Sequence, residues 1–306
     1  MSGGSREGNG FTRSDHHFES GGKRCAAWLY LPQGKTKPPV VVMAHGFGAQ
    51  RDFGLPAYAE RFAEEGMAVF LFDYRNFGDS EGEPRNLVNP WRHLRDWRSA
   101  LAYVRSLPEV DGGRVALWGS SYGGGHVLVT AARDQGVAAV CSQVPFVDGV
   151  STALYTGLKH ALQATVAATR DILRAATFRE PFRVPIVSDP ETFGIMNTPE
   201  SKPGYLALVP EGSDWRNECP ARAVLELLLY RPTMWAARVR CPALVIMGEK
   251  DSLIKPAAVE RAVSRMRQAT LKRLPVGHFD IYQGEWFEKV VSMQAEFLAR
   301  HLVRGG

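Results

Sequence analysis

The 306-residue chain is 45% hydrophobic and 23% charged, the composition of a folded globular protein with a sizeable core. Its net charge of +5 comes from 37 Lys and Arg against 32 Asp and Glu. These charges are scattered without a long run of one sign, which argues against a nucleic-acid-binding protein. The Gly- and Ser-rich N-terminus has no apolar leader, and no stretch is apolar enough for a membrane span. We therefore expect no secretory signal and a cytoplasmic location.

Cysteine usage points to a reduced protein. The chain has 4 cysteines, Cys25, Cys141, Cys219 and Cys241, and they show no spacing typical of metal ligands. Three of them lie in or beside apolar runs, where a free cysteine behaves as a small buried hydrophobic residue. A reducing compartment and no metal site are expected.

Predicted strands and helices alternate along the first half of the chain. Residues 1–15 are predicted to form a flexible arm. Continuous apolar runs predict strands buried on both faces, and apolar residues at helical spacing predict the helices between them. The strands are expected at 23–32, 39–48, 67–75, 114–119 and 137–145, and the helices near 58–66, 90–107 and 124–133. This alternation is typical of an α/β doubly wound sheet.

The alternation resumes at residue 241, after a long insert at 146–240. The later elements are expected at 241–251 (strand), 257–266 (helix), 270–275 (strand) and 286–302 (helix). A plain crossover needs only about 30 residues, so the insert is predicted to be a helical cap over the C-terminal edge of the sheet. The core would then comprise 16–145 and 241–306. A surface insertion without a role at the site is the alternative.

Apolar spacing predicts two helices within the insert. Leu154, Leu158, Leu162 and Val166 are four residues apart, which predicts one amphipathic helix over 152–176. A Pro-rich irregular stretch follows at 179–204, and a second helix is expected near 221–232.

The stretch "GSSYG" at 119–123 matches G-x-S-x-G, with a predicted strand before it and a predicted helix after it. This context is the one in which the motif forms a nucleophile elbow, a sharp turn that exposes its central residue. Ser121 lies midway between Gly119 and Gly123 and is the predicted nucleophile. Ser120 is expected to face the packing side. A Gly/Ser turn without chemistry is the alternative.

A serine hydroxyl needs a base to take its proton near neutral pH. In elbow enzymes the partners follow in the order Ser, acid, His. Asp251, just beyond a strand end in "GEKD", is the predicted acid, and His278 in "VGHFDIY" is the predicted base. The three loops are expected at one edge of the sheet, where open α/β sheets place their sites.

Other histidines and carboxylates compete for these roles. Asp280 lies too near His278 in sequence to reach beneath its ring easily, and Glu249 precedes the expected turn position. The other histidines are expected in the arm, on helix faces or near the C-terminus: His16, His17, His93, His126, His160 and His301.

An oxyanion hole needs two backbone N–H donors. The amide of Tyr122, directly after the nucleophile, is one candidate, and the amide of Phe47 in the turn "HGFG" is the other. His45 is expected to brace the Gly46–Phe47 turn, with a role as catalytic base as the alternative. The charged residues of "DYRNFGDSEGEP" (73–84) are expected to hold loop geometry.

The motifs "HGFG", "DYRNFGDSEG", "GSSYGG", "GEKD" and "GHFDIY" together resemble the α/β-hydrolase superfamily over nearly the whole chain. Within it, the chain is similar to dienelactone-hydrolase-like and X-Pro-peptidase-like hydrolases, including the branch with fungal polyketide acyl transferases. The phrases "MNTPES", "WRNE" and "YRP" in the insert carry that narrower likeness. The resemblance implies a mostly parallel eight-stranded sheet flanked by helices, with a helical cap inserted after strand 6. A serine at position 121 argues against dienelactone chemistry, which uses cysteine, and against dehalogenation, which uses aspartate.

The expected function is hydrolysis of carboxylic esters through an acyl-enzyme, with no metal or organic cofactor. A thioesterase or acyltransferase acting on a polyketide or CoA thioester is the first alternative. A non-catalytic ligand-binding protein and a peptidase are further alternatives. The expected partner is a small ester or thioester with an apolar part, with no nucleic acid or membrane, and a homodimer stays open. The large side chains of the insert favour an apolar pocket; they are Tyr155, Phe178, Phe182, Phe193, Met196, Tyr205 and Trp215.

Overall fold

A computed structural model describes residues 6–303, apart from the side chains of residues 6, 7, 156, 158 and 159. Within this range one central sheet has the strand order β1-β2-β3-β5-β4-β6-β7-β10-β11. Its strands are β1 (Arg6–Gly8), β2 (Phe11–Ser20), β3 (Lys23–Pro32), β4 (Pro39–Ala44), β5 (Ala68–Phe72), β6 (Asp111–Ser120), β7 (Val137–Gln143), β10 (Ala243–Gly248) and β11 (Ala269–Leu274). A separate two-stranded ribbon joins β8 (Arg183–Val184) to β9 (Cys219–Pro220).

The sheet is mostly parallel, as predicted. Strands β5, β4, β6, β7, β10 and β11 pair in parallel, and β2 and β3 continue the sheet in antiparallel pairing. These eight strands confirm the predicted fold class, and the three-residue β1 extends the antiparallel edge.

Helices cover both faces of the sheet. The helices are α1 (Leu55–Glu64), α2 (Pro90–Ser106), α3 (Tyr122–Arg133), α4 (Gly149–Thr156), α5 (Leu158–Ala176), α6 (Ser201–Leu206), α7 (Ala223–Leu229), α8 (Pro256–Val263) and α9 (Gly284–Leu302). Along β4, Val40 and Val42 pack with the layer of α2, α3 and α8, whereas Val41 and Met43 pack with α1 and α9. The alternation explains the continuous apolar run of this strand, because both faces are buried. Among helices within 6–303, none is both long enough and apolar enough to cross a bilayer.

The predicted flexible arm is wrong for residues 6–8, which form β1, and for residues 11–15, which form the first half of β2. Residues 1–5 of that arm lie outside the described residues. Strand β2 pairs along its whole length with β3, and Gly21 and Gly22 form the loop of this hairpin with φ of 56° and 70°. A two-residue Gly-Gly loop of this kind favours a tight hairpin. Polar residues dominate β2, so hydrophobicity alone did not reveal it.

The insert leaves the sheet after β7 and returns at β10. Its predicted helix over 152–176 is wrong in two respects. Gly157, at φ 90° and ψ 161°, separates α4 from α5. The predicted apolar stripe also faces solvent, because Leu154, Leu162 and Val166 are 81%, 59% and 70% exposed. The buried face of α5 carries small residues instead, among them Ala164 and Ala168.

Candidate catalytic site

The nucleophile elbow is formed by the end of β6 and the start of α3. Ser121 adopts φ 56° and ψ −118°, a conformation that a residue with a side chain rarely adopts and that costs about 1–3 kcal/mol. The surrounding backbone holds it there. The Ser121 N–H donates to the carbonyl of Gln143 (2.8 Å), and the Ser121 carbonyl accepts from the N–H of Phe146 (2.9 Å).

Two glycines permit the close approach of chains at this turn. A Cβ on Gly119 would lie 2.3 Å from the carbonyl oxygen of Gly123. A Cβ on Gly123 would lie 2.7 Å from the carbonyl oxygen of His45, at the end of β4. Neither position can hold a larger residue without moving the backbone, which is why the motif needs glycine at both.

The structure brings Ser121, Asp251 and His278 together from three loops. The Nε2 atom of His278 lies 3.0 Å from the Oγ of Ser121, and its Nδ1 lies 2.7 Å from Oδ2 of Asp251. A carboxylate only accepts, so Nδ1 carries the proton and Nε2 turns its lone pair toward the serine hydroxyl. Both His278 and Asp251 are buried.

The carboxylate of Asp251 is itself fixed by the backbone. Its Oδ1 accepts hydrogen bonds from the N–H groups of Leu253 and Ile254, each at 2.8 Å. Burial opposes a positive charge on His278, but the charge and hydrogen bond of Asp251 outweigh it, with a smaller contribution from Glu200. The pKa of His278 is therefore raised above its ordinary value.

The side chain of Ser120 points away from the site, into a buried polar network. It is fully buried, contacts the hydroxyl of Tyr282 and accepts from Nε2 of Gln143 at 3.2 Å. Gln143 in turn bonds Gln294 of α9. Ser120 thus packs inward as predicted, and Ser121 alone of the two contacts the histidine.

The turn after β4 lies against the elbow. A Cβ on Gly46 would lie 3.1 Å from the Cβ of Ser121, so a side chain there would crowd the elbow. His45 donates from Nδ1 to the carbonyl of Gly46 (3.0 Å). In a trans peptide the N–H points opposite to the carbonyl, so this bond orients the N–H of Phe47. The predicted bracing role of His45 agrees with this contact.

His45 is poorly suited to act as a base. It is buried, and the loss of hydration lowers its pKa, although the charge of Asp73 opposes this effect. The neutral ring serves the turn through Nδ1. Its Nε2 lies 3.6 Å from Asp73, which forms an ion pair with Arg51.

Tyr122 is the first residue of α3, and the first N–H groups of a helix have no acceptor within it. The ring of Tyr122 packs edge-on against that of Phe47, with centroids 5.7 Å apart. The two predicted oxyanion donors thus belong to adjacent residues of the elbow and the β4 turn.

The competing residues are occupied elsewhere. Asp280 accepts from the N–H of Gly277 at 2.8 Å, and Glu249 is exposed. His93 and His126 form a buried pair 3.2 Å apart between α2 and α3. The other histidines are His16 and His17 in β2, His160 in the insert and His301 in α9.

The loop over 73–84 is held by its own charged residues, as expected, and by the adjacent Arg85. Arg75 donates from Nε to Oδ1 of the buried Asp96 at 2.7 Å, and Arg85 donates to the carbonyl of Ser80 at 2.6 Å. Asp73 accepts from the N–H of Arg51 at 2.7 Å. These contacts tie the loop to α2 and to the β4 turn.

Sequence reasoning missed Glu200, which lies in the insert. Its Oε2 accepts from the N–H of His278 at 2.8 Å, and its Oε1 accepts from the N–H of Ser252 at 2.9 Å. One carboxylate thus holds the loops that carry the acid and the base. A Cβ on Gly277 would lie 2.3 Å from Oε2 of Glu200, so this glycine makes the contact possible. A glycine directly before the predicted base was the one available signal.

The insert also contacts the β4 turn. Tyr205 donates its hydroxyl to the carbonyl of Phe47 at 2.9 Å, and Trp215 donates from Nε1 to the carbonyl of Gly48 at 2.9 Å. A cavity of about 30 Å³ lies over the site and is lined by Ser121, His278 and Met196, among others. The site therefore contains atoms of both the sheet edge and the insert.

Comparison with known proteins places this chain in a family. The family model described as X-Pro dipeptidyl-peptidase (S15 family) matches residues 21–280. The chain belongs to this S15 family, within the α/β-hydrolase superfamily. The match spans β3, the elbow, the insert and the loops of the acid and the base.

Relatives of this S15-family chain cover nearly its full length. It is 42% identical over 286 residues to the quorum-quenching protein AidA of Acinetobacter baumannii, covering 94% of each chain. It is 28% identical to the polyketide transferase af380 of Aspergillus fumigatus, covering 90% of this chain and 93% of the relative. The crystal structure of the α/β hydrolase GrgF from Penicillium sp. sh18 superposes with a TM-score of 0.79 at 24% identity, covering 95% and 99% of the two chains. The predicted resemblance is confirmed.

Proposed function

We propose that this chain is a serine hydrolase that cleaves carboxylic esters through an acyl-enzyme. The observation that carries the proposal is the hydrogen-bond chain from Ser121 through His278 to Asp251, at 3.0 and 2.7 Å. This is the arrangement of nucleophile, base and orienting acid that activates a serine. Membership of a hydrolase superfamily supports the same reaction class.

In the acylation step, His278 takes the proton of Ser121 at Nε2 while the serine Oγ attacks the ester carbonyl carbon. The carbonyl π electrons move to its oxygen, and a tetrahedral intermediate forms. When the C–O bond to the alcohol breaks, His278 gives its proton to the departing oxygen. Asp251 keeps the ring oriented and stabilises the imidazolium that exists between these two transfers.

In the deacylation step, water replaces the alcohol and the same groups act again. His278 takes a proton from the water, whose oxygen attacks the acyl carbon. The ester bond to Ser121 breaks, the serine recovers a proton and a carboxylic acid leaves. The raised pKa of His278 suits a group that is protonated within each half-reaction.

The amides of Phe47 and Tyr122 stabilise the negative oxygen of both intermediates. Each such donor contributes about 3 kcal/mol in the transition state. The bond from His45 to the carbonyl of Gly46 prepares the first donor, and the start of α3 supplies the second. The insert acts as the cap of the site, because Glu200, Tyr205 and Trp215 bond directly to its loops.

Transfer of an acyl group from a thioester is the second candidate, and the relative named a polyketide transferase favours it. The same triad would form the acyl-enzyme, and an alcohol or amine would replace water in the second step. Mass spectrometry of the products formed from an ester and from a thioester, with a competing alcohol present, separates hydrolysis from transfer.

Labelling with a fluorophosphonate probe tests the proposal, because the probe reacts with an activated serine. We expect the wild type and Ser120→Ala to be labelled and Ser121→Ala to stay unlabelled. The neighbouring serine is a matched control, since it is one residue away and takes no part in the triad. Absence of labelling in the folded wild type would favour a non-catalytic binding protein.

A further inference from the structure

A second pocket lies inside the insert, between α4, α5 and α7. Its volume is about 110 Å³. Most of its lining is apolar and includes Phe146, Ala161, Ala164, Ile195 and Leu225. We call this the insert pocket; the triad does not line it.

Two polar residues that line the insert pocket, Thr152 and Thr165, have partners of their own, whereas the buried Nδ1 of a third, His160, has no hydrogen-bond partner among the described residues. Thr152 donates its hydroxyl to the carbonyl of Asp148 at 3.1 Å, and Thr165 donates to that of Ala161 at 2.8 Å. Because both hydroxyls already donate to helix carbonyls, neither needs a hydrogen-bond acceptor on a ligand. The lining therefore suits a hydrocarbon group, and the Nδ1 of His160 is the polar atom in it that a ligand could still bond.

The insert pocket adjoins the nucleophile. Phe146 lines it, donates its N–H to the carbonyl of Ser121 at 2.9 Å and packs its ring 5.4 Å from that of Tyr122. On the other side, Ile195 lines the insert pocket while the next residue, Met196, lines the cavity at Ser121. Residues directly bonded to Ser121 or adjacent in sequence to the lining of its cavity thus also line the insert pocket.

The space exists because α5 turns its small residues inward. Ala161 and Ala164 line the pocket, whereas the larger Leu162 and Val166 face solvent. A helix that only completed a core would bury its leucines, because burial of each stabilises by about 1.5–3 kcal/mol. With its alanines inward and its larger residues outward, α5 leaves open the space of the insert pocket.

We propose that the insert pocket binds the distal, hydrocarbon part of the acyl group whose carbonyl is attacked by Ser121. This inference rests on the proposed function and names its substrate class: esters of aliphatic acids longer than acetate. An engineered apolar cavity of about 150 Å³ binds benzene, so a pocket of 110 Å³ holds a somewhat smaller group. Each methylene that enters raises kcat/KM by about fourfold.

The test compares kcat/KM for p-nitrophenyl octanoate with that for the acetate. We expect Ala161→Phe, which fills the pocket, to lower the octanoate-to-acetate ratio at least tenfold, and Ala164→Leu to lower it in the same direction. The matched control, Val166→Phe, adds a similar ring on the outer face of the same helix, where the side chain is 70% exposed. We expect it to keep the wild-type ratio. Leu225→Ala enlarges the insert pocket, so we expect it to shift the substrate preference to longer acyl chains.

The possible outcomes distinguish a failure of this inference from a failure of the proposed function on which it rests. Thermal unfolding identifies which variants are folded. If folded Ala161→Phe and Ala164→Leu keep the wild-type ratio, while acetate hydrolysis still depends on Ser121, the insert pocket does not hold the acyl chain. If acetate hydrolysis survives in Ser121→Ala, the proposed function itself is wrong.

Discussion

At the scale of single residues, Glu200 holds in place the two loops that carry Asp251 and His278. Its two carboxylate oxygens hold the backbone beside Asp251 and the backbone of His278, and its negative charge favours the protonated histidine. It lies 78 residues before His278 and belongs to another part of the fold. We regard it as a positioning residue, since it acts through the base.

Replacing Glu200 separates its geometric and electrostatic effects. Glu200→Ala removes the bonds from both backbone N–H groups and from the Ser252 hydroxyl. At about 1.5–3 kcal/mol for a bond to a charged group, we expect kcat/KM to fall about tenfold to a hundredfold. Glu200→Gln keeps an acceptor but removes the charge, so we expect a smaller fall and a lower pKa of His278. Steady-state kinetics across pH measures both. An unchanged pH profile in Glu200→Gln would contradict the electrostatic effect.

The pH dependence of activity follows from His278. The base must be neutral to accept the serine proton, and Asp251 raises its pKa above the ordinary value of 6.5 despite burial. We therefore expect kcat/KM to fall as the pH drops through a value above 6.5. Asp251→Asn removes the charge and should move that acid limb to lower pH. If kcat/KM of the wild type falls only at or below pH 6.5, burial lowers the pKa of His278 by more than Asp251 raises it.

On the scale of elements, the insert is where sequence patterns were least informative. The spacing of Leu154, Leu162 and Val166 predicted a buried stripe, but these side chains face outward and alanines face inward. An amphipathic pattern identifies a helix without saying which face the rest of the fold covers. The ten-residue strand β2 was missed for a related reason, because its mostly polar residues form a strand only by pairing with β3.

The exposure of this stripe makes a prediction about stability. We expect Leu162→Ala and Val166→Ala each to change the free energy of unfolding by less than about 0.5 kcal/mol, as for exposed sites. The matched control Leu128→Ala, fully buried in α3, should cost about 2–5 kcal/mol. Urea denaturation at fixed pH measures all three. A loss at Leu162 as large as that at Leu128 would mean that the outer face of α5 is covered.

On the scale of the whole molecule, the order of strands explains why the triad was predictable. Parallel strands end at the same edge, so loops after β6, β10 and β11 meet although Ser121 and His278 are 157 residues apart. Motifs at strand ends therefore predicted which serine, aspartate and histidine the fold brings together. Glu200 follows no strand of this sheet, and only the folded insert brings it to the site.

The central claim is that Ser121 and His278 act as one unit, and the kcat of single and double variants on p-nitrophenyl acetate tests it most directly. We expect Ser121→Ala and His278→Ala each to lower kcat by at least about a thousandfold, and the double variant to lose at most about tenfold more. His301→Ala, a histidine of α9 outside the triad, should keep wild-type turnover. Near-normal turnover in either single variant, or losses that multiply in the double variant, would contradict the account.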